Sequence, residues 1–376
     1  MWLQHSKTLW AVQGDRNTRF FHSKTTNRYR KNFIHKLRNR NEQWSAKNKE
    51  VADILIQYYK ELFTSANPTF LEEFLLSINT RVSAQMNNKL LADFKAWEVH
   101  EAMKQMGPFK APGLDGMPPI FFQHFWPLVG DEVTTSVLQF LNTATFPCHL
   151  NHTFISLIPK VKNPKLVYEF GPISLCNVLY KIFPKVLANM LNKVLPTLIT
   201  EHQSAFTKSC LISDNILIAF KSLHSMQNHT SKEGYMVVKL DMSKAYDRVE
   251  WSFLEAIMRR IGFTERWIQL MMVGVKTVSY SILVNGEPKG MIKPTRGIRQ
   301  GDPLSPFLFL LCIEGLHGLI SQAASQGELH GYSLCKNGHK LTHLFFADDS
   351  LLFCRSTSQD CDKVLELLDI YSKYSG

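Results

Sequence analysis

Two apolar segments near the end of the sequence flank an acidic pair, Asp348 and Asp349. The flanking residues, 341–347 and 350–354, have the composition of core strands. Acids favour turns, but a tight turn usually pairs them with Gly or Asn rather than with a second like charge. At about 4 Å and an effective dielectric near 20, two carboxylates repel by roughly 4 kcal/mol. The pair therefore indicates either turn chemistry or a site for a hard divalent cation.

A third acid, Asp241, ends another apolar segment at residues 237–240. If the two strands are neighbours, Asp241 faces the acidic pair. Three carboxylates are enough to hold two Mg²⁺ ions about 3.5–4 Å apart, an arrangement that clamps the attacking and leaving oxygens of phosphoryl transfer. The alternative is three unrelated surface acids.

The formal net charge of +11 is concentrated at the start of the chain. Residues 1–50 contain 12 Lys and Arg against 3 Asp and Glu, a net of +9. Aromatic residues lie among these cations, as Tyr29 does beside Arg28, Arg30 and Lys31. Cations with stacking aromatics indicate a single-stranded nucleic acid as partner. The alternatives are a solvated basic helix and aromatics that pack the segment against the body of the protein.

Composition and leader patterns exclude several classes of protein. Hydrophobic residues make up 45% and charged residues 20%, which is typical of globular chains. The sequence contains no uninterrupted apolar run of the roughly 20 residues that span a bilayer, and its first residues lack a secretory h-region. Seven cysteines without a Cys-x-x-Cys pair argue against a disulfide framework or a Cys-rich zinc site, and fit a reducing compartment.

A loop at residues 296–306, punctuated by Gly and Pro, precedes the most apolar predicted helix. Gly297 and Gly301 permit a close approach of the backbone to a ligand, and a helix N-terminus can receive an anion. Arg296 and Arg299 are candidate contacts for phosphate or template backbone. The alternative is an ordinary loop at the start of a helix.

The remaining periodicity predicts an α+β chain. Strands are predicted at 153–159, 166–175, 235–241 and 279–284, the last followed by the type I′ turn signal Asn285-Gly286. Helices are predicted at 94–106, 120–141 with a break at Pro127, 179–195, 214–226, 250–261, 265–275, 305–323 and 360–374. Residues 67–88 are predicted to be a linker with one short helix.

These segments together resemble the reverse transcriptase of non-LTR (LINE-type) retrotransposons, of the kind common in plant genomes. The resemblance rests on blocks in the family's order, at 14–22, 110–116, 155–160, 171–177, 204–206 with 212–215, 241–247, 297–306 and 346–349. It implies an α+β right-hand polymerase with an antiparallel palm sheet backed by helices, fingers, and no thumb. The implied organisation is a basic N-terminal extension at 1–66, a linker at 67–90, fingers and upper palm at 91–238, and a catalytic palm at 239–376, truncated before the thumb.

The resemblance implies an RNA-directed DNA polymerase, a nucleotidyltransferase that uses an RNA template, a DNA primer and deoxynucleoside triphosphates. Two Mg²⁺ ions, with Mn²⁺ as a substitute, would be bound by the catalytic carboxylates Asp241, Asp348 and Asp349. Nucleotide contacts are expected from Lys160, Tyr246, Gln300 and Gly301. Tyr246 would crowd the 2′ position of the incoming sugar, and its alternative role is that of a core aromatic. Nucleic-acid contacts are expected from Arg28, Arg30, Lys31, Arg296 and Arg299.

The sequence also departs from the family pattern. Gly171 stands where the family has an Arg that is expected to grip the triphosphate. Loss of one such bond costs roughly 1.5–3 kcal/mol, about 10- to 150-fold in rate or affinity. Ser209-Cys210 replaces Gly-Arg, and the chain stops where the next palm motif, its lysine and the thumb are expected.

We therefore expect a partial copy of an element with weak or no activity. One alternative is a non-catalytic nucleic-acid-binding remnant of the same element. An RNA-dependent RNA polymerase shares the palm, but Tyr246 argues against it. The family implies a nuclear location, and no membrane partner is expected.

Overall fold

The computed structural model describes residues 19–69, 72–207, 211–228, 234–334 and 338–376. Its helices are α1 (Arg19–Asn32), α2 (Asn48–Leu62), α3 (Glu72–Leu76), α4 (Ala84–Leu90), α5 (Ala96–Lys104), α6 (Pro119–His124), α7 (Trp126–Thr143), α8 (Val178–Leu191), α9 (Leu195–Leu198), α10 (Ile212–Gln227), α11 (Ala245–Arg248), α12 (Trp251–Ile261), α13 (Glu265–Lys276), α14 (Ser305–Ser325) and α15 (Ser358–Ser375). Its strands are β1 (Leu37–Arg38), β2 (Trp44–Ser45), β3 (His152–Pro159), β4 (Phe170–Leu175), β5 (Tyr235–Asp241), β6 (Ser279–Val284), β7 (Glu287–Ile292), β8 (His343–Phe346) and β9 (Asp349–Arg355). The fold is mixed α/β, and the predicted helices and strands are present with ends that differ by a few residues.

A four-stranded mixed sheet has the order β4-β3-β6-β7. Strand β3 is antiparallel to β4 and parallel to β6. At the β6–β7 turn, Asn285 has φ 54° and Gly286 has φ 93°, as a type I′ turn requires. The Asn285 side chain also accepts a hydrogen bond of 2.8 Å from the backbone N–H of Ile34. The predicted hairpin is confirmed, and it anchors the basic N-terminal region to this sheet.

A second, antiparallel sheet has the order β5-β9-β8. Strand β5 has the predicted bounds, and β8 and β9 form the hairpin that contains the acidic pair. Ala347 occupies the turn with φ 54°, in the left-handed region. This sheet therefore brings together the segments that carry all three candidate metal-binding acids.

Helix α14 is the centre of the main hydrophobic core. It is the single helix in the described part of the chain that is long and apolar enough to cross a membrane, but 72% of its apolar window is buried inside the protein. A helix that is apolar on all sides needs partners on all sides. Here α8, α12, α13 and α15 contribute buried residues to the same core cluster.

The segment predicted to be a linker packs against this core instead. It contains two short helices, α3 and α4, rather than one. Phe74, Ile78 and Val82 are 3%, 3% and 6% exposed and belong to the main core cluster. These apolar residues are four positions apart in an otherwise polar stretch. Their periodicity was therefore not recognised from the sequence. The predicted helix break near Pro127 is confirmed, since α6 ends and α7 begins around Phe125.

Candidate active site

The register between β5 and β9 places two of the three acids side by side. Asp241 is paired directly with Asp349 across the antiparallel ladder. Asp348 lies in the turn immediately before β9, and on the other side of β9 Phe346 of β8 pairs with Asp349. The predicted adjacency of the two strands is confirmed, although residues 241 and 348 are more than a hundred positions apart in sequence.

Among the residues that the structure describes, basic side chains give the acids of this pair little compensation. Like charges directly opposite each other on neighbouring strands are destabilising. Lys239 Nζ lies 3.5 Å from Asp349 Oδ1, but both side chains are exposed, at 70% and 60%. Exposed pairs of this kind contribute about 0–1 kcal/mol. The carboxylate oxygens therefore suit hard divalent cations, which prefer oxygen ligands.

Asp241 and Asp348 line a cleft of about 430 Å³, which is within the size range of small-molecule sites. The cleft is also lined by the four residues predicted to contact the nucleotide, Lys160, Tyr246, Gln300 and Gly301, and by Gly171. Asp349 is not among its lining residues. The structure thus brings residues of both sheets and of the loop before α14 to one opening.

Tyr246 lies both in the cleft wall and in a packed aromatic pair. Its ring stacks on Phe309 of α14 with centroids 4.9 Å apart and planes at 15°. Burial raises the pKa of the Tyr246 hydroxyl to about 12, and the Asp348 carboxylate adds to the shift. The phenol is therefore neutral across the physiological range. The two predicted roles of this ring, as a core aromatic and as a wall of the nucleotide site, are sterically compatible.

The loop before α14 is held by backbone contacts on two sides. Gly297 has φ 92°, and a Cβ there would lie 2.6 Å from the carbonyl oxygen of Asp247. The backbone N–H of Ile298 donates to Tyr246 O at 2.8 Å, and that of Ser174 donates to Gln300 O at 3.0 Å. The close approach at Gly297 is thus to the protein's own backbone, whereas Gly301 is exposed and lines the cleft.

Arg299 does not have the predicted contact with nucleic acid. The residue is 4% exposed. Its guanidinium donates to Asn151 Oδ1 at 2.5 Å and to Gly274 O at 3.0 Å. It also lies 3.1 Å from Asp302 Oδ2 and 3.9 Å over the ring of Tyr180. All these partners are protein groups, so the side chain holds the loop in the core and is not available to a phosphate.

Arg296 has a similar structural role and also does not fit the predicted contact. Its side chain is 14% exposed and lies 3.3 Å from Oε1 of Glu250, which is 1% exposed. Its Nε donates to Leu62 O at 2.8 Å. The ion pair joins the loop to the residue that precedes α12, and the hydrogen bond joins it to the end of α2. Sequence alone identified two arginines beside glycines but not the direction in which they point.

The other predicted nucleic-acid contacts lie on the surface. Arg28, Arg30 and Lys31 are exposed on α1. Nearby, Trp44 is 43% exposed, and the cations of Lys36 and Arg38 lie 4.4 Å and 4.9 Å from its ring. Arg28, Arg30 and Lys31 remain candidate phosphate contacts. Residues 14–18 and the Ser209-Cys210 substitution lie outside the described residues.

Two residues beside the cleft were missed from the sequence, although both lie in the block at 241–247. Lys244 has φ 58°, and its Nζ donates to Phe170 O at 3.1 Å. Asp247 is 3% exposed, and Gln300 Nε2 lies 3.3 Å from its Oδ2. Burial raises the pKa of the Asp247 carboxyl to about 6, against the opposing influence of Lys244 and Gln300. The sequence feature that could have identified them is their position within six residues of Asp241.

We predict that Asp247→Asn removes a pH-dependent loss of stability. Because the pKa is raised in the folded state, the contribution of the Asp247 carboxyl to the free energy of unfolding is fully present below the ordinary pKa of 3.8. It is lost as the pH rises through about 6. The full loss corresponds to about 3 kcal/mol. Urea unfolding at pH 4.5 and 7.5 should show that the free energy of unfolding of the variant rises relative to that of wild type at the higher pH. The exposed Asp369→Asn should show no such gain, and a pH-independent difference would contradict the prediction.

A family model described as reverse transcriptase (RNA-dependent DNA polymerase) matches residues 158–376. The match covers more than half of the chain and includes the three acids and the residues that line the cleft with them. The chain therefore belongs to the reverse transcriptase family.

Its relatives connect it with LINE-type, non-LTR retrotransposons. It is 25% identical over 328 residues to the transposon TX1 uncharacterized 149 kDa protein of Xenopus laevis, covering 87% of this chain and 24% of that protein. It is 23% identical over 327 residues to the retrovirus-related Pol polyprotein from type-2 retrotransposable element R2DM of Drosophila melanogaster, covering 85% and 28%. It is 52% identical over 68 residues to the uncharacterized mitochondrial protein AtMg01250 of Arabidopsis thaliana, covering 18% and 56%. The chain thus spans about a quarter of the two longer relatives.

Proposed function

We propose that this chain carries the polymerase core of a non-LTR retrotransposon and extends a DNA primer on an RNA template, at a low rate because Gly171 lacks the cation expected at that position. In this proposal the β5-β9-β8 sheet is the palm and the β3–β4 pair belongs to the fingers. The observation that carries the proposal is the pairing of Asp241 with Asp349, beside a cleft that Asp348 lines. The match to the reverse transcriptase family supports the same assignment.

Asp241, Asp348 and Asp349 would hold two Mg²⁺ ions. Bound there, the ions would supply charge neutralisation for the attacking hydroxyl and the leaving pyrophosphate. Lys160, an exposed residue that lines the same cleft as Asp241 and Asp348, would bind the triphosphate. The Tyr246 ring would exclude a 2′-hydroxyl, so deoxynucleotides would be preferred.

Template and primer would be bound in part by the basic N-terminal region. Arg28, Arg30 and Lys31 are exposed cations, and Trp44 offers a ring for stacking. Binding through such phosphate contacts weakens as salt is raised. This part of the proposal is shared with a second candidate function, a nucleic-acid-binding remnant without catalysis, which Gly171 favours because that position lacks a cation.

We predict that Gly171→Arg raises the rate of primer extension by about 10- to 150-fold, as expected for one charge-assisted bond to the triphosphate. Gly171 lines the cleft, and a Cβ at this position would come no closer than 3.4 Å to the flexible Lys160 side chain and 3.8 Å to Ile158 O. A Cβ at this position is therefore tolerated without displacing backbone. The measurement is single-nucleotide extension of a DNA primer on RNA with Mg²⁺, using deoxynucleotides and ribonucleotides in parallel.

The control for charge is Gly171→Gln, which has similar reach but no cation and should gain little. Binding of a fluorescent primer–template is measured for each variant. RNA binding without extension in wild type and in Gly171→Arg would reject the polymerase proposal and support the binding remnant. A preference for ribonucleotides would reject the role given to Tyr246.

A further inference from the structure

Three histidines from separate parts of the chain meet behind the acid-bearing sheet. His202 follows α9, His317 lies in α14, and His343 is the first residue of β8. Each offers a ring nitrogen, and these atoms all lie within 4.8 Å of one another. His317 Nδ1 is 2.9 Å from His343 Nε2. The His202 and His343 rings stack with centroids 4.6 Å apart.

Neighbouring hydroxyls orient two of these rings. Thr342 Oγ1 lies 2.8 Å from His343 Nδ1, and Thr200 Oγ1 lies 3.0 Å from His202 Nδ1. A hydroxyl that accepts the Nδ1–H fixes the tautomer and leaves the Nε2 lone pair free to bind a metal, which is the usual outer-shell arrangement of metal-bound histidine. His343 Nε2 faces Nδ1 of His317.

The environment favours neutral rings, the form in which histidine binds metals. Burial lowers the pKa of His202, lowers that of His317 to about 4 with help from the Arg81 cation, and lowers that of His343 well below its ordinary value. The cluster is not sealed, because His202 and His317 are only partly buried. Solvent can therefore supply a fourth ligand.

We propose that His202, His317 and His343 form a binding site for zinc or a similar first-row transition metal, separate from the carboxylate site. Imidazole ligands suit such ions, whereas carboxylates suit Mg²⁺ and Mn²⁺. Three histidines with a solvent ligand form a common zinc coordination set. The alternative is a metal-free stack of packed rings, in which His317 and His343 share one hydrogen bond.

The position of the site gives it a structural role. The backbone N–H of Phe345 donates to His202 O at 2.8 Å, and that of Ala347 donates to Gln203 Oε1 at 3.1 Å. A metal here would tie the loop after α9 and strand β8 to α14. These are the contacts that hold the turn containing Asp348, so metal binding would stabilise the acid-bearing hairpin from behind.

The test is a zinc titration of the chelator-treated full chain in competition with a chromophoric chelator, with excess Mg²⁺ present. We expect one tight equivalent in wild type and a rise in the unfolding temperature on adding zinc. His317→Gln should weaken binding by at least about 100-fold, since even outer-shell changes cost 10- to 100-fold. His100→Gln is the matched control, because His100 is a partly buried ring stacked on Trp126 at 5.0 Å.

Asp348→Asn separates the two sites and should keep the tight equivalent. Should His317→Gln affect folding, His202→Gln provides the same comparison in the loop after α9 rather than within the core helix α14, with circular dichroism as the check. Substitution with Co²⁺ should give visible absorption typical of nitrogen ligands. Wild-type protein without a tight equivalent, or equal binding by wild type and both histidine variants, would overturn the proposal. Loss of binding in Asp348→Asn alone would assign the zinc to the carboxylates instead.

Discussion

Asp348→Asn in a Gly171→Arg background is expected to lower primer extension by at least about 100-fold. The change preserves shape but removes one of the carboxylates that would hold the divalent ions beside the cleft. Metal ions supply several kcal/mol of transition-state stabilisation in phosphoryl transfer, and each 1.36 kcal/mol is a tenfold change in rate. The measurement is single-turnover extension on an RNA template with saturating deoxynucleotides.

The matched control for this substitution is Asp369→Asn. Asp369 is an exposed acid on α15, so its loss should leave extension unchanged. Affinity for the primer–template should not fall in either variant, because without metal the acids repel phosphate rather than bind it. Extension by Asp348→Asn at the rate of its parent would remove this acid from the proposed site. Unchanged extension in Asp241→Asn as well would reject the carboxylate site as a whole.

Arg299→Met is expected to lower the free energy of unfolding by about 3–5 kcal/mol, the usual cost of removing one partner from a buried ion pair. The substitution leaves Asp302, which is 6% exposed, without the guanidinium 3.1 Å away. It also removes the hydrogen bonds that the guanidinium donates to the Asn151 side-chain oxygen and to the Gly274 carbonyl. Against a typical total of 5–15 kcal/mol, this loss should be evident as a large shift of the urea midpoint.

The control for Arg299→Met is Arg30→Met on the exposed face of α1, where surface substitutions usually change stability by less than about 0.5 kcal/mol. RNA binding should show the reverse pattern, with the larger effect in Arg30→Met. Arg30→Met should weaken RNA affinity and reduce its salt dependence, whereas folded Arg299→Met should bind normally. If Arg299→Met had normal stability but weakened RNA binding, Arg299 would have to be reassigned as a phosphate contact, contrary to its burial.

Local patterns in the sequence were sufficient for much of the fold. Strand β5 has its predicted bounds, and Asn285-Gly286 forms the predicted turn because both residues accept positive φ. Near Pro127 the helix breaks as predicted, since proline lacks the N–H that a helix interior needs. The polar segment that contains Phe74 was misjudged because its few apolar residues are recognisable as core only when α12 and α14 lie against them.

Side-chain direction and distant partners were not encoded in any local pattern. Arg296 and Arg299 share a loop with exposed Gly301, yet both turn inward to acids that are themselves buried. The histidine cluster left no spacing signature, since His202 and His317 are separated by more than a hundred residues. Neither feature follows from periodicity, because each depends on which segments pack together.

By itself the sequence determined where the acids lie along the chain, because strand composition and turn chemistry are local properties. It also determined the family, because several short blocks occur in one order over most of the chain. Only the tertiary structure decided that Asp241 is opposite Asp349, because strand register depends on hydrogen bonding between segments far apart in sequence. The same long-range packing decided which cations face the cleft and which are buried as structural partners.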